Sequence, residues 1–411
     1  MFSLTFILIA GILGSMTSCE KTKDNTPGDP VPIDLSLKQK EVVASANKFA
    51  FDLFVPILTG EEGAGNNMIS PFSITSALSM TLNGAAGGTF DAMNSGLRYD
   101  GQTIEEINDT YLKLIEEMIP VDEKVIMEIA NSAWVEKKFT PKQAFMDALV
   151  KWYLAEVEKI DVTDPGAVDQ INAWIEDKTH DKIQNMVESL PDNLAMLLVN
   201  AVYFKGKWKH QFDKDDTHDR SFYLTPDAPV DVPMMYQKEK FAMAGTENAT
   251  LVELPYGQGN YSMVVMLPDE GVSPEAAALT LTPENWAEWM ESLSAGTTEV
   301  EIYLPRFKYE YKRNLNDDLA SLGMGIAFDP DNADFSNISD LQLYITDVLH
   351  QTFIETNEEG TEAAAATVVI IGTTSMPPPT PVINVDRPFL YFIRETTTGT
   401  IVFMGQVVDP R

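Results

Sequence analysis

Residues able to do chemistry are few in this chain. His180, His210, His218 and His350 are the only histidines among 411 residues, and Cys19 is the only cysteine. No GxSxG, HExxH or GxxxxGK[ST] pattern is present, so the common signatures of hydrolase, metalloprotease and nucleotide sites are missing. Serine, histidine and aspartate of a hydrolytic set meet only in space, and their spacing alone leaves that class open. Asp329-Pro-Asp331-Asn-Ala-Asp334 has the alternating acids of a calcium loop but lacks its glycine and terminal glutamate, so it predicts a turn.

One stretch stands apart. Glu358-Glu359-Gly360-Thr361-Glu362-Ala363-Ala364-Ala365-Ala366-Thr367 is followed by Val368-Val369-Ile370-Ile371-Gly372-Thr373-Thr374-Ser375-Met376 and by Pro377-Pro378-Pro379. No charge occurs from Ala363 to Pro381, in a chain with 62 acidic residues. As a strand, one face carries Thr361, Ala363, Ala365, Thr367, Val369 and Ile371, all small or apolar. The other carries Glu362, Ala364, Ala366, Val368 and Ile370. Such a segment is soluble as a loop yet has the pattern of a buried central strand. Gly360 supplies a hinge in front, and the three prolines favour an extended, solvent-exposed tether behind. Four alanines suit a helix equally well. On residue pattern alone, an insertable strand and an Ala-rich surface loop or short helix both stand.

The elements that must position this ribbon follow from periodicity. Val42, Ala46, Phe49, Leu53 and Ile57 fall at helical spacing. Ser70 before Pro71 has N-cap character, and the small residues Ser73, Ala77 and Gly84 would let the next helix lie close to a sheet. Further helices are predicted over 103–118, 141–153 and 167–189. Leu197–Phe204 is a continuous apolar run of the kind buried on both faces of a sheet. Strands are also predicted over 261–267, 300–304, 343–354, 389–394 and 400–407, the last two joined by a turn at Thr396–Gly399. The length would by prior hold two or three domains, yet no internal linker or repeat divides the chain. A hydrophobic content of 44% supports a large core. The net charge of −33 argues against nucleic acid and anionic membrane surfaces as electrostatic partners.

Five separated strings carry a resemblance. EEGTEAAAAT with DRPFLYFIRETTTGTIVFMGQVVDP resembles the reactive loop and C-terminal strands of the serpins. The stretch Asn67–Thr89, the string NAVYFKGKW (Asn200–Trp208), Leu304-Pro-Arg306-Phe307 and the string from Leu315 to Met324 are similar to serpin segments in the same order. Asp181 stands where the family usually has glycine. The resemblance spans about residues 36–411 and implies one α+β domain: a serpin fold with three β-sheets, about nine helices and an exposed reactive loop. It places Ser70, Ser73, Asn200 and His350 together as a hydrogen-bonded latch under the two central strands that must part. It places Trp208 at the top of the main sheet, with Glu358 and Arg306 paired by charge nearby. Glu359 is expected to be solvated.

The resemblance further implies suicide inhibition of a serine protease, with the loop as bait and Glu358–Thr367 as the hinge that leads insertion into an already complete sheet. Counting Gly360 as the fifteenth residue before the cut bond puts that bond at Thr374–Ser375, with Thr373–Thr374 and Ile371–Gly372 as rivals. No Lys or Arg occurs from Glu358 to Asp386, so elastase-like targets are expected rather than trypsin-like ones, and a papain-like cysteine protease stays open. The alternative is a non-inhibitory serpin acting as a binding or chaperone-like surface protein. No cofactor or metal is expected, and the chain is expected to be monomeric.

The N-terminal end reads differently. Residues 1–19 form an apolar segment ending in Ser15-Met16-Thr17-Ser18-Cys19, which resembles a bacterial lipoprotein signal with Cys19 as the lipidated residue, although no Lys or Arg precedes the apolar run. Residues 20–35 are polar and proline-rich and read as a flexible tether, so the globular domain is taken as 36–411. The expected location is the bacterial cell envelope, as an outer-membrane lipoprotein facing the periplasm or the surface, or the secreted medium. Contact with the membrane is expected only through the lipid.

Overall fold

The computed structural model describes residues 29–60, 65–360 and 380–411. Cys19, Thr361–Thr367, Thr374 and Ser375 lie outside the described residues.

Local signals start the helices where they were read. Ser36 and Gln39 exchange capping bonds and open α1 (Leu37–Thr59), along which Val42, Phe49, Leu53 and Ile57 are buried. After β1 (Asn67–Ile69), Ser70 caps α2 (Pro71–Leu82), with Pro71 at the first helical position. Next come α3 (Gly87–Gly96), α4 (Ile104–Met118), β2 (Val125–Glu136), α5 (Gln143–Tyr153), β3 (Glu156–Ile160), α6 (Ala167–Lys178) and β4 (Met196–Gly206). The second half runs β5 (His218–Thr225), β6 (Ala228–Gly245), β7 (Ala249–Tyr256), β8 (Tyr261–Pro268), α7 (Pro274–Ala278), α8 (Pro283–Ser294), β9 (Thr298–Pro305) and β10 (Phe307–Asn314). It ends with α9 (Asn316–Leu319), β11 (Leu349–Thr356), β12 (Val382–Asn384), β13 (Phe389–Glu395) and β14 (Ile401–Val407). Gly399, at φ +75°, closes the turn between the last two strands.

Among the described residues these strands form three hydrogen-bonded sheets of nine, three and two strands. The largest runs β1-β14-β13-β8-β7-β6-β9-β12, with β5 on β6. Its centre is the apolar core: β8, β13 and β14 are buried along their whole length. The other two sheets are β3-β2-β4 and β10-β11. Helix α2 packs against β4 and β14, between the layers.

Several expectations are corrected. The helix predicted to reach Ser189 stops at Lys178. Thr179 turns its hydroxyl back to the Ile175 carbonyl and takes the Ile183 amide, and His180 and Asp181 sit at φ +49° and +60°. That left-handed backbone is the physical reason a glycine suits position 181. Gly84 lies beyond α2 and gives room to Ile338, not to a sheet: a Cβ there would stand 2.3 Å from the Ile338 Cγ1. The strand predicted from 343 begins only at Leu349. Residues 29–35 do not form a free tether: Ile33 and Leu35 are buried, and Val31 exchanges two hydrogen bonds with the buried Asn260 side chain, which stands in for a neighbouring strand. The turn at Asp329 is as read, its carboxylate taken by the amides of Asp331 and Asn332.

Candidate functional site

The expected complete central layer is divided. β4 is laddered to β2 and β11 to β10, and no ladder joins β4 to β11 among the described residues. Between them lies a cleft of about 400 Å³. Its floor is Ser70, Ser73 and Ala77 of α2, and its walls are Met196–Val202 and Leu343–Thr352. Leu197 and Leu198 are only half buried because they face this space. Two strand edges that face each other with no ladder between them among the described residues form a template for one further strand.

The polar floor is built from the cap of α2. The Ser70 hydroxyl donates to the Val402 carbonyl at 2.8 Å and accepts the Ser73 amide at 3.3 Å. The Ser70 amide donates to Nε2 of His350 at 3.0 Å. His350 is therefore held neutral with Nε2 as an acceptor, and burial lowers its pKa to about 3. Three of the four residues expected to form a latch are thus joined. Asn200 lines the same cleft, but its Nδ2 donates to Oδ1 of Asn131 at 2.7 Å, its cross-strand partner on β2. The Asn200 Oδ1 is buried without a hydrogen-bond partner among the described residues. The reason is the division itself: Asn200 belongs to one lip and His350 to the other. Sequence reading missed Asn131, whose signal was a polar residue facing inward from a strand.

At the mouth the chain has already turned. Asn357 and Gly360 bond each other through both backbone groups, at 2.9 and 3.2 Å, and Gly360 bridges antiparallel to Lys207 just past β4. Gly360 has φ +130°, and a Cβ on it would lie 2.1 Å from the Gly206 carbonyl oxygen. Trp208 anchors this turn. Its amide donates to Glu359 O at 3.0 Å and its indole Nε1–H to Asn357 O at 2.9 Å, while its ring stacks on Tyr256 at 4.3 Å. The amide of Phe212 donates to Glu358 O at 2.9 Å.

The two glutamates are both clamped. Glu358 is 1% exposed and accepts from Arg306 Nε at 2.7 Å and from Thr217. Burial works against its charge, but the Arg306 and Thr217 bonds outweigh it and hold the carboxyl below its ordinary range. Glu359, expected in water, is instead buried and paired with Lys214, a residue the sequence did not bring forward. The correction follows from the turn, which points both carboxylates at the 207–217 connection. The other three histidines are scattered: His180 lies against Tyr203 and Glu128, His210 near Glu239, and His218 is exposed on β5.

The comparisons with known proteins agree with this architecture. A family profile described as "Serpin (serine protease inhibitor)" matches residues 44–410. The leukocyte elastase inhibitor of Homo sapiens is 37% identical over 383 residues, covering 90% of this chain and 100% of that protein. An uncharacterized serpin-like protein of Methanosarcina acetivorans is 33% identical, covering 96% of this chain and 93% of its own length. The thermophilic serpin Tengpin in its native state superposes with a TM-score of 0.81 at 33% identity, over 92% of this chain and 95% of that one. Human thyroxine-binding globulin superposes with a TM-score of 0.80 at 27% identity, over 91% and 99%.

Proposed function

The chain belongs to the serpin family, and from that premise we propose that it is a suicide-substrate inhibitor of serine proteases with elastase-like preference, and not itself an enzyme. The observation that supports this most is Gly360, turned antiparallel to the end of β4 at the mouth of a cleft between two strands, β4 and β11, that no ladder joins among the described residues.

The protease serine attacks the Thr374 carbonyl carbon. The Thr374–Ser375 bond breaks, the Ser375 nitrogen leaves with the serine's proton, and an acyl ester remains. Residues 360–374 then enter the cleft as a strand. Fourteen steps correspond to roughly 46 Å of travel, against a body diameter of about 50–55 Å. The attached protease is carried nearly the length of the inhibitor, loses its oxyanion geometry and cannot deacylate. Thr374 is small and β-branched, which suits an elastase-like pocket. A papain-like cysteine protease is the second target class this loop chemistry admits.

Incubation with pancreatic or neutrophil elastase tests the reading. An SDS-resistant complex is expected, releasing a C-terminal fragment whose mass begins at Ser375. Rapid clean cleavage without complex would point to a non-inhibitory binding protein, and turnover of a small ester by this protein alone to a hydrolase. Cys19 is proposed as a lipid anchor holding the domain in a bacterial envelope; acyl chains on the mature N-terminal peptide support this, and a free thiol there refutes it.

A further inference from the structure

We infer that the docked segment 29–35 fixes which side of the domain faces the lipid: held at Cys19, the body presents the mouth of the cleft, and with it the start of the reactive loop, toward the membrane. The partner surface is the bilayer itself, and the inference rests on the lipid-anchor reading above.

Backbone and side-chain bonds set the point at which the chain leaves the body. The Val31 amide donates to Asn260 Oδ1 at 2.8 Å, and Asn260 Nδ2 donates back to the Val31 carbonyl at 2.7 Å. A Cβ placed on Gly259 would stand 3.3 Å from the Pro30 ring and 3.6 Å from Lys209 Nζ. Lys209 follows Trp208, which anchors the turn at Gly360. The exit is therefore at the mouth and not at the far end of the domain. Strand β2 measures how distant that far end is. Val125 pairs with Gly206 beside the mouth, and Val135 with Met196. The eleven steps from Val125 to Glu136 correspond to roughly 36 Å.

Length then decides the orientation. Ten steps separate Cys19 from Asp29, a reach of at most about 36 Å. The body is about 50–55 Å across. With its far end against the lipid, the exit would stand about 50 Å above the surface, beyond that reach. With the body on its side, the exit stands half a diameter up, and the connection must be nearly stretched, which is entropically unfavourable. With the mouth toward the lipid, every height within the reach is open. The net charge of −33 gives an anionic bilayer no attraction for the flanks that would turn the domain over. The loop therefore meets its protease in the layer next to the membrane, and insertion over roughly 46 Å carries the trapped enzyme to the outer side.

The test uses the full lipoprotein, purified with its lipid and bound to phosphatidylcholine vesicles that carry an energy-transfer acceptor on a fraction of the headgroups. Cys19 is the only natural cysteine and its thiol is taken by the lipid, so a donor dye can be placed on Glu123→Cys or on Lys138→Cys. Both positions are exposed and flank opposite ends of β2. Transfer from position 123 should be at least about twofold stronger, since the two labels differ in height by roughly 36 Å. An insert of about twenty Gly and Ser residues after Gly28 raises the reach to ~100 Å, longer than the body, and should bring the two positions to equal transfer. Equal transfer in the parent, or stronger transfer from position 138, overturns the inference. A difference that survives the insert overturns it too, since the surface of the body and not the short connection would then set the orientation. No transfer from either position means that the protein is not on the vesicle; the lipid-anchor reading then fails first and this inference with it.

Discussion

Gly360 and Gly206 face each other across the mouth of the cleft with room for backbone only. Gly360→Ala adds a methyl to a residue at φ +130°, against a carbonyl oxygen. The turn should leave its place, costing about 1–3 kcal/mol. Thermal unfolding of the uncut protein should fall accordingly, and SDS-resistant complex should give way to simple cleavage. A variant with the parent's unfolding temperature and complex yield would show that the turn is not held there.

Arg306→Ala leaves the buried Glu358 without its cation. Loss of a hydrogen-bonded charged partner typically costs about 1.5–3 kcal/mol, here toward the lower end because the Arg306 side chain is 43% exposed. The folded carboxyl sits below its ordinary pKa, so its contribution is present above the unfolded value and is lost as pH falls through the lowered one. Acid unfolding curves of parent and variant should therefore converge at low pH. A constant gap at every pH contradicts this.

His350 gives a different pH window. Its pKa is 6.5 unfolded and about 3 in place, so below 6.5 the unfolded chain binds the proton that the folded one refuses. Stability should decline from pH 6.5 toward 3, by at most about 1.4 kcal/mol per pH unit from this residue. His350→Gln retains an acceptor for the Ser70 amide and should flatten that part of the profile. The difference in unfolding free energy between the two proteins, measured against pH, decides the matter.

Two substitutions examine the ribbon itself. Thr361→Arg places a charge on the face that must be buried and should turn the inhibitor into a substrate; undiminished complex would contradict the assigned face. Thr374→Arg should move activity toward trypsin-like proteases, and an unchanged preference would relocate the cut bond.

Much of the fold was legible because its signals are local. Ser70 and Thr103 each cap the helix they were read to start. The largely apolar runs at β8, β13 and β14, bounded by turn residues, read as buried strands. β10 was missed because Lys308, Glu310, Lys312 and Asn314 give every second residue to water, which hides a strand among polar segments. The site was legible only in part. Trp208, Arg306 and Glu358 came forward through strings shared with a family. The burial of Glu359 depends on Lys214, 145 residues away, and Asn200 turns to Asn131, 69 residues away. Periodicity reports which face of a strand is buried but not which strand lies next to it, so the gap between β4 and β11 left no trace in the sequence.

Strand β6 is eighteen residues long and serves three ladders, bonded to β5 along Ala228–Met234, to β9 along Met234–Phe241 and to β7 along Ala242–Gly245. One unbroken length of backbone thus welds the largest sheet into a single chassis. Any rearrangement that fills the gap can be confined to the remaining five strands, two moving against three, while the chassis keeps its register. Amide exchange should divide the molecule along that same seam, slow across the welded part and sensitive to loop cleavage only in the five.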